Sequence, residues 1–372
     1  MAEEDRHVAS MRSGQPNEKA GIPTPDAFRP TAPVNPCARD VPRHWHRPAP
    51  RYAALDLGTN NCRLLIARPE GAAFRVVDAF SRIVRLGEGV SKSGELCDAA
   101  MERTIEALHV CRRKMDDRNV SRARLVSTEA CRAARNGPDF LRRIEQETGL
   151  KLELLDRQGE ALLAAAGCAA LADREAASIM LFDIGGGSTE LVWLSVRNCG
   201  EADIRSRIRA WTSMPLGVVT LAERHGGVHV CGRTFEAMVQ ETAATLAPFA
   251  AEAREACAEP GFHLLGTSGT VTTLGGIFLG LERYDRRRVD GLWMQAGEVN
   301  DVLQELLAMS YRERAENGCI GRERADLVLA GCAIFEAIRR AFPAPRVRIG
   351  DRGLREGMLM EMMREDGVLR RA

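Results

Sequence analysis

Two stretches of this chain carry one pattern: an apolar strand ending at an aspartate, a polar turn containing glycine, then a second apolar strand. The first runs Tyr52-Ala53-Ala54-Leu55-Asp56-Leu57-Gly58-Thr59-Asn60-Asn61 and continues through residues 63–67. The second runs Ile179-Met180-Leu181-Phe182-Asp183-Ile184-Gly185-Gly186-Gly187-Ser188-Thr189-Glu190 and continues to Leu194, with the two aspartates 127 residues apart. Only two positions are strictly identical between the copies, so the order of elements carries more weight than the letters. The repeat predicts a duplicated α/β domain, each copy opening with a hairpin whose turn faces a shared cleft.

A length of 372 residues, 45% hydrophobic and 28% charged, is too long for one small core and fits two domains. Lys and Arg total 52 against 51 Asp and Glu, so no global basic field holds nucleic acid, and a bound polyanion needs a local cluster. No run of about 18 apolar residues occurs, and residues 2–35 are polar without an apolar signal core, which argues against a membrane span and a secretory signal. The expected compartment is the cytoplasm. Eleven cysteines are an odd number and form no C-x-x-C. Cys62, Cys97, Cys111, Cys131, Cys168 and Cys332 lie in apolar or helical runs and read as reduced core residues.

Residues 1–50 hold nine of the sixteen prolines and are expected to form a disordered leader, in which His44 and His46 lack further metal ligands. One α/β domain is expected over residues 51–177 and a second over 178–350. Residues 351–372 should form a terminal helix packing back near the cleft. Strands are expected at 73–77, 81–86, 124–127, 151–155, 263–265 and 346–349. Helices are expected at 97–115, 130–135, 139–148, 160–172, 216–225, 235–253, 270–281, 298–309, 322–341 and 354–363.

Three turns have the chemistry to hold an anion. Gly58, Thr59, Asn60 and Asn61 follow Asp56 with short hydroxyl and amide side chains. Gly185, Gly186 and Gly187 remove every Cβ that would keep the backbone off a phosphoryl group, with Ser188 and Thr189 next. Thr267, Ser268 and Gly269 run from a strand into a helix, whose first amides carry partial positive charge. Neutral amides cradle phosphate without cleaving it, so a metal and a base are also needed. Asp56, Asp183 and Glu190 offer hard oxygen ligands suited to Mg²⁺. Glu160, at a helix start, is the candidate base, although a plain helix-start glutamate is the simpler reading of that residue alone.

The segments Asp56-Leu57-Gly58-Thr59-Asn60, Ser127-Thr128-Glu129-Ala130-Cys131-Arg132, Asp183 to Leu191, Met214-Pro215-Leu216-Gly217, Gly266 to Thr270 and Leu354-Arg355-Glu356-Gly357 together resemble the exopolyphosphatase / guanosine pentaphosphate phosphatase (Ppx/GppA) family, from residue 52 to about 364. The resemblance implies an α/β fold of two ribonuclease-H-like domains around a central cleft, as in the actin-like ATPase superfamily. It implies Mg²⁺-dependent hydrolysis of the terminal phosphate of inorganic polyphosphate, or of the 5′ phosphate of guanosine pentaphosphate. By the same resemblance Glu160, Asp183 and Glu190 are catalytic, Asp183 and Glu190 bind metal or water, Gly186, Gly187 and Ser188 donate to phosphate, and Arg132 and Arg355 contact it.

Two departures stand out. The family's Ser-Gly-x-Glu-Glu-Ala-Arg segment reads Asp156-Arg157-Gln158-Gly159-Glu160-Ala161-Leu162 here, so only the second glutamate is kept. Longer members continue into a further helical domain, which favours short or medium polyphosphate for this chain. The expected partners are polyphosphate or guanosine pentaphosphate in a homodimer, with no nucleic acid and no membrane. A kinase of the same superfamily and a non-catalytic sensor of a phosphorylated ligand are the alternatives. Lys92, Arg135, Arg142, Arg143 and Arg352 read mainly as solvated helix faces, 283–288 as a solvated loop, and Met358, Met360, Met362 and Met363 as core. His225 and His229 are separated by Gly226-Gly227 and make a poor zinc pair.

Overall fold

The computed structural model describes residues 49–197 and 203–369. The expected leader, apart from Ala49 and Pro50, lies outside the described residues.

The first sheet is built from β1 (Tyr52–Leu57), β2 (Asn61–Glu70), β3 (Ala73–Ile83), β4 (Arg122–Ser127) and β5 (Glu153–Leu154), in the order β3-β2-β1-β4-β5. β1 pairs antiparallel with β2 and parallel with β4. The second sheet comprises β6 (Ser178–Ile184), β7 (Thr189–Ser195), β8 (Ile208–Met214), β9 (His263–Thr267), β10 (Trp293–Gln295) and β11 (Arg346–Gly350), in the order β10-β11-β9-β6-β7-β8. Without the short antiparallel β10, its order is that of the first sheet: three antiparallel strands, then two parallel ones. Each sheet is thus ribonuclease-H-like, and the pair has the two-domain arrangement of the actin-like ATPases. The central strands β1 and β6 are almost wholly buried, which explains their near-continuous apolar sequence.

Several expected elements shift. Residues 73–83 form one strand rather than two, because a register shift between Ile66 and Ala67 on β2 lets the long hairpin twist without breaking. The helix expected at 160–172 starts three residues earlier: Asp156 is its N-cap, its carboxylate accepting from the Gly159 amide at 2.6 Å. The helix expected from 322 begins at Val328, and β8 was not anticipated. Cys97, expected in the core, is exposed just before the helix Asp98–Asp117, whereas Cys62, Cys111, Cys131, Cys168 and Cys332 are buried.

The helices Arg157–Cys168 and Leu354–Glu365 cross between the sheets. The first packs on β7 and β8 as well as on the second, which in turn covers β1 and β2. Met358, Met362 and Met363 fill the core there with Tyr52, Ala54 and Leu65, while Met360 is only partly buried. Both helices carry a glycine at the crossing. A Cβ at Gly167 would sit 2.1 Å from the Gly353 carbonyl oxygen, and one at Gly357 would sit 2.1 Å from that of Leu163.

The loop after β3 bridges the two lobes. Arg85 donates to both carboxylate oxygens of Asp326 at 3.0 and 3.1 Å and to the Glu323 carbonyl at 3.1 Å. The Gly89 amide and the Ser91 hydroxyl both donate to the Glu223 carboxylate. Arg85 holds φ at 49°, a costly conformation for a side chain of that size. Among the described residues no helix is long and apolar enough to cross a membrane.

Candidate active site

The two hairpin turns meet. A Cβ on Gly186 would lie 2.9 Å from Thr59 Cβ and 3.1 Å from the Asn60 amide, and one on Gly187 would lie 2.7 Å from Thr59 Oγ1. Only glycine permits this approach of one lobe's turn to the other's. The Gly185–Ser188 turn is pinned from behind, since its Gly185 and Gly186 carbonyls accept from the Val218 and Val219 amides at 3.0 and 2.8 Å. The Gly186 and Gly187 amides donate to no backbone carbonyl among the described residues, which leaves them free for an anion.

A cavity of about 150 Å³ opens where the turns meet, and a second of about 260 Å³ adjoins it. Asp56, Arg63, Asp183, Ser268, Gly269 and Arg324 line both. The expected residues Gly58, Thr59, Asn60, Asn61, Glu160, Gly185, Gly186, Gly187 and Ser188 line the first, and Thr267 and Arg355 the second. Ser268 reaches the walls with φ at 106°, a strained value for a non-glycine residue, as the N-cap of the helix Gly269–Phe278.

Three expected residues are not on either wall. Thr189 is buried and donates to the Leu216 carbonyl at 2.7 Å, so its role here is to hold the strand to the next turn. Glu190, opposite Asp183 in the β6–β7 register, accepts from Ser213 Oγ at 2.8 Å. Burial, together with Glu160 and Asp183, pushes its pKa well above the carboxylate range. Arg132 stands behind Glu160, its guanidinium donating to Glu129, to the Leu155 carbonyl and, at 2.7 Å, to Glu160 Oε2.

Among the wall residues absent from the expectations are Arg63 and Arg324. With Arg355, they make no side-chain hydrogen bond or ion pair among the described residues. Arg63 was within reach of sequence reasoning, because a hairpin closing at residues 58–61 sets it directly across from Asp56. Arg324 had no such signal, as it lies in irregular chain before the helix Val328–Ala341. Arg286, expected in a solvated loop, turns inward to Glu356 at 3.0 Å, and Arg352 pairs with Asp290 at 2.9 Å. Arg135, Arg142 and Arg143 pair with nearby acids away from the cavities. His225 pairs with Glu241 at 2.6 Å rather than with His229.

Burial raises the pKa of three of the wall carboxyls, those of Asp56, Asp183 and Glu160. Asp183 is pushed up to about 6 and Asp56 is also raised, each opposed by Arg63. Glu160 is pushed up to about 7, with Arg132 opposing and Asp56 and Asp183 adding to the rise. A carboxyl near neutrality on a cavity wall has the proton affinity of a general base.

Among the described residues no three His, Cys, Asp or Glu side chains converge on one metal position, so Asp56, Asp183 and Glu190 do not form a ready-made centre. Asp56 and Asp183 still share both cavity walls, and the amide oxygens of Asn60 and Asn61 are buried without a hydrogen-bond partner. Such a set of hard oxygens fits Mg²⁺, which usually takes one or two carboxylates and fills its other positions with water and phosphate.

The model of the Ppx/GppA phosphatase family matches residues 65–366. A curated relative, the guanosine-5'-triphosphate,3'-diphosphate pyrophosphatase of Aeromonas salmonicida (strain A449), is 28% identical over 316 residues, which cover 85% of this chain and 60% of that protein. The chain therefore spans about 60% of the length of such relatives. The crystal structure of the Aquifex aeolicus member of the Ppx/GppA family superposes with a TM-score of 0.68 at 26% identity, covering 86% of this chain and 99% of that one. An exopolyphosphatase-like protein superposes with a TM-score of 0.75 at 27% identity, covering 85% and 98%.

Proposed function

The chain belongs to the Ppx/GppA phosphatase family, and from that premise we propose that it hydrolyses the terminal phosphoanhydride bond of inorganic polyphosphate, and of the 5′ triphosphate of guanosine pentaphosphate, in the presence of Mg²⁺. One observation carries the reading. Three guanidiniums without a partner among the described residues, those of Arg63, Arg324 and Arg355, line adjoining cavities in which glycine turns of both lobes meet and Glu160 faces the gap.

The terminal phosphoryl group rests on the amides of Gly186, Gly187 and Gly269, and Arg63 and Arg324 balance its charge. Asp56 and Asp183 would hold Mg²⁺, which when bound would supply further neutralisation of the phosphate charge. Glu160 orients a water and accepts its proton as the new P–O bond forms in line and the bridging P–O bond breaks. The products are inorganic phosphate and a substrate shorter by one phosphate.

Phosphate release from polyphosphates of several lengths and from guanosine pentaphosphate, with Mg²⁺ and with excess chelator, tests this. Release that needs Mg²⁺ is the expected result. Tight binding with no release supports a sensor instead, and transfer to an added acceptor in preference to water supports a kinase. Arg324→Gln is expected to raise KM for polyphosphate about tenfold or more while kcat changes less, because it removes charge that holds the substrate before and during reaction alike. An unchanged KM would remove Arg324 from the binding site.

A further inference from the structure

We propose that Glu129 is a positioning residue for Glu160 and acts through Arg132, an assignment that rests on the reading of Glu160 as the base. Glu129 follows Thr128 at the end of β4 and is only 7% exposed. Its Oε2 accepts from Arg132 Nε at 2.9 Å and Nη2 at 2.5 Å, and its Oε1 accepts from Arg157 Nη2 at 3.1 Å. On its other side it leans against the second lobe, with Cγ 3.2 Å from where a Cβ on Gly187 would stand. It therefore touches both the anion-binding turn and the arginine behind the base.

The fork geometry of arginine gives this arrangement its meaning. A guanidinium facing a lone carboxylate in a dry site takes it through two parallel N–H bonds, holding it as an ionised spectator. Glu129 occupies the Nε–Nη2 edge of Arg132, and the Leu155 carbonyl takes Nη1 at 2.5 Å. Glu160 is left with one bond from Nη2 to Oε2. Its Oε1 has no hydrogen-bond partner among the described residues, so it is the oxygen available to a water in the cavity. Glu129 also sets the local charge. Glu160 is faced by Arg132, Asp56, Asp183 and Glu190, with Arg157 and Glu129 beyond Arg132. Loss of the Glu129 charge leaves Arg157 without its carboxylate partner among the described residues, leaves Arg132 paired with Glu160, and opens the fork edge to Glu160.

Glu129→Gln keeps the shape and removes the charge. ¹³C carboxyl titration of Glu160 in the free protein, its resonance assigned by its loss in Glu160→Gln, is expected to show a midpoint lower by about one pH unit or more. Kcat for phosphate release at pH 7 should fall about tenfold with KM within about twofold, and the acid limb of the rate profile should move down with the midpoint. Glu129→Asp keeps the charge on a shorter arm and should give a smaller shift of the same sign, which serves if the Gln variant does not fold. An unmoved midpoint in the variants overturns the proposal. So does a changed KM at constant kcat, which would make Glu129 a substrate contact. Should the wild-type protein release no phosphate, the functional reading fails, while the titration, which needs no substrate, still judges Glu129.

Discussion

Glu160→Gln is expected to lower kcat for phosphate release by about 10³-fold while leaving substrate affinity within a few fold, in the range that loss of a general base produces. The amide keeps a hydrogen-bond acceptor for Arg132 and the volume on the wall, but cannot take a proton from water. Equilibrium binding of polyphosphate, measured beside turnover, separates the base from a binding residue. Turnover near the wild-type rate would overturn the assignment.

The same variant should gain stability at alkaline pH. Burial raises the Glu160 pKa from 4.5 to about 7 in the folded chain. The folded state therefore binds more protons than the unfolded one between those values. The corresponding stability is fully present below pH 4.5 and is lost as pH rises through about 7. At pH 8 the wild type carries a buried charge that the amide lacks, so Glu160→Gln should be more stable by about 2 kcal/mol, a rise in Tm of about 4 °C. The difference should vanish near pH 4. A variant less stable than wild type at pH 8 would show that the Arg132 ion pair outweighs burial.

The second large effect concerns the crossing of the helices Arg157–Cys168 and Leu354–Glu365. Gly357→Ala places a methyl group 2.1 Å from the Leu163 carbonyl oxygen, a contact that the backbone can relieve only by moving the helices apart. A loss of about 3 kcal/mol and a drop in Tm of about 8 °C are expected. Turnover should fall as well in the molecules that remain folded, because the displaced helix carries Glu160 and misplacement of a catalytic group by about 1 Å costs of order 10²-fold. Gly297→Ala is the control. It lies in the helix Ala296–Ala308 with no atom within 4 Å of the added carbon, and should cause no loss. Equal effects of the two substitutions would refute the packing argument.

What the sequence makes legible is what depends on local chemistry. The two aspartate-bearing hairpins, the run of three glycines and the strand-to-helix turn at Thr267 each announce themselves through neighbouring residues, and they converge in the structure. The Asp156 cap that starts the Glu160 helix was available on the same terms, as an aspartate three residues ahead of the amide it accepts from. The edge strand β8 was harder, since its seven residues alternate only loosely and contain a serine and a threonine. Least legible were contacts set by tertiary placement. Arg132 turns toward Glu160, 28 positions away, and Arg324 lines a cavity with the turns of both lobes from irregular chain where a helix is expected. Charged residues of this kind look alike in a sequence until a fold gives each its neighbours.

The bridges from Arg85 to Asp326 and from Glu223 to Gly89 and Ser91 join the two lobes a second time, apart from the crossed helices. Two separate joins restrain the lobes more than one would, so widening the gap between the glycine turns requires breaking the Arg85 and Glu223 contacts as well as moving the helices.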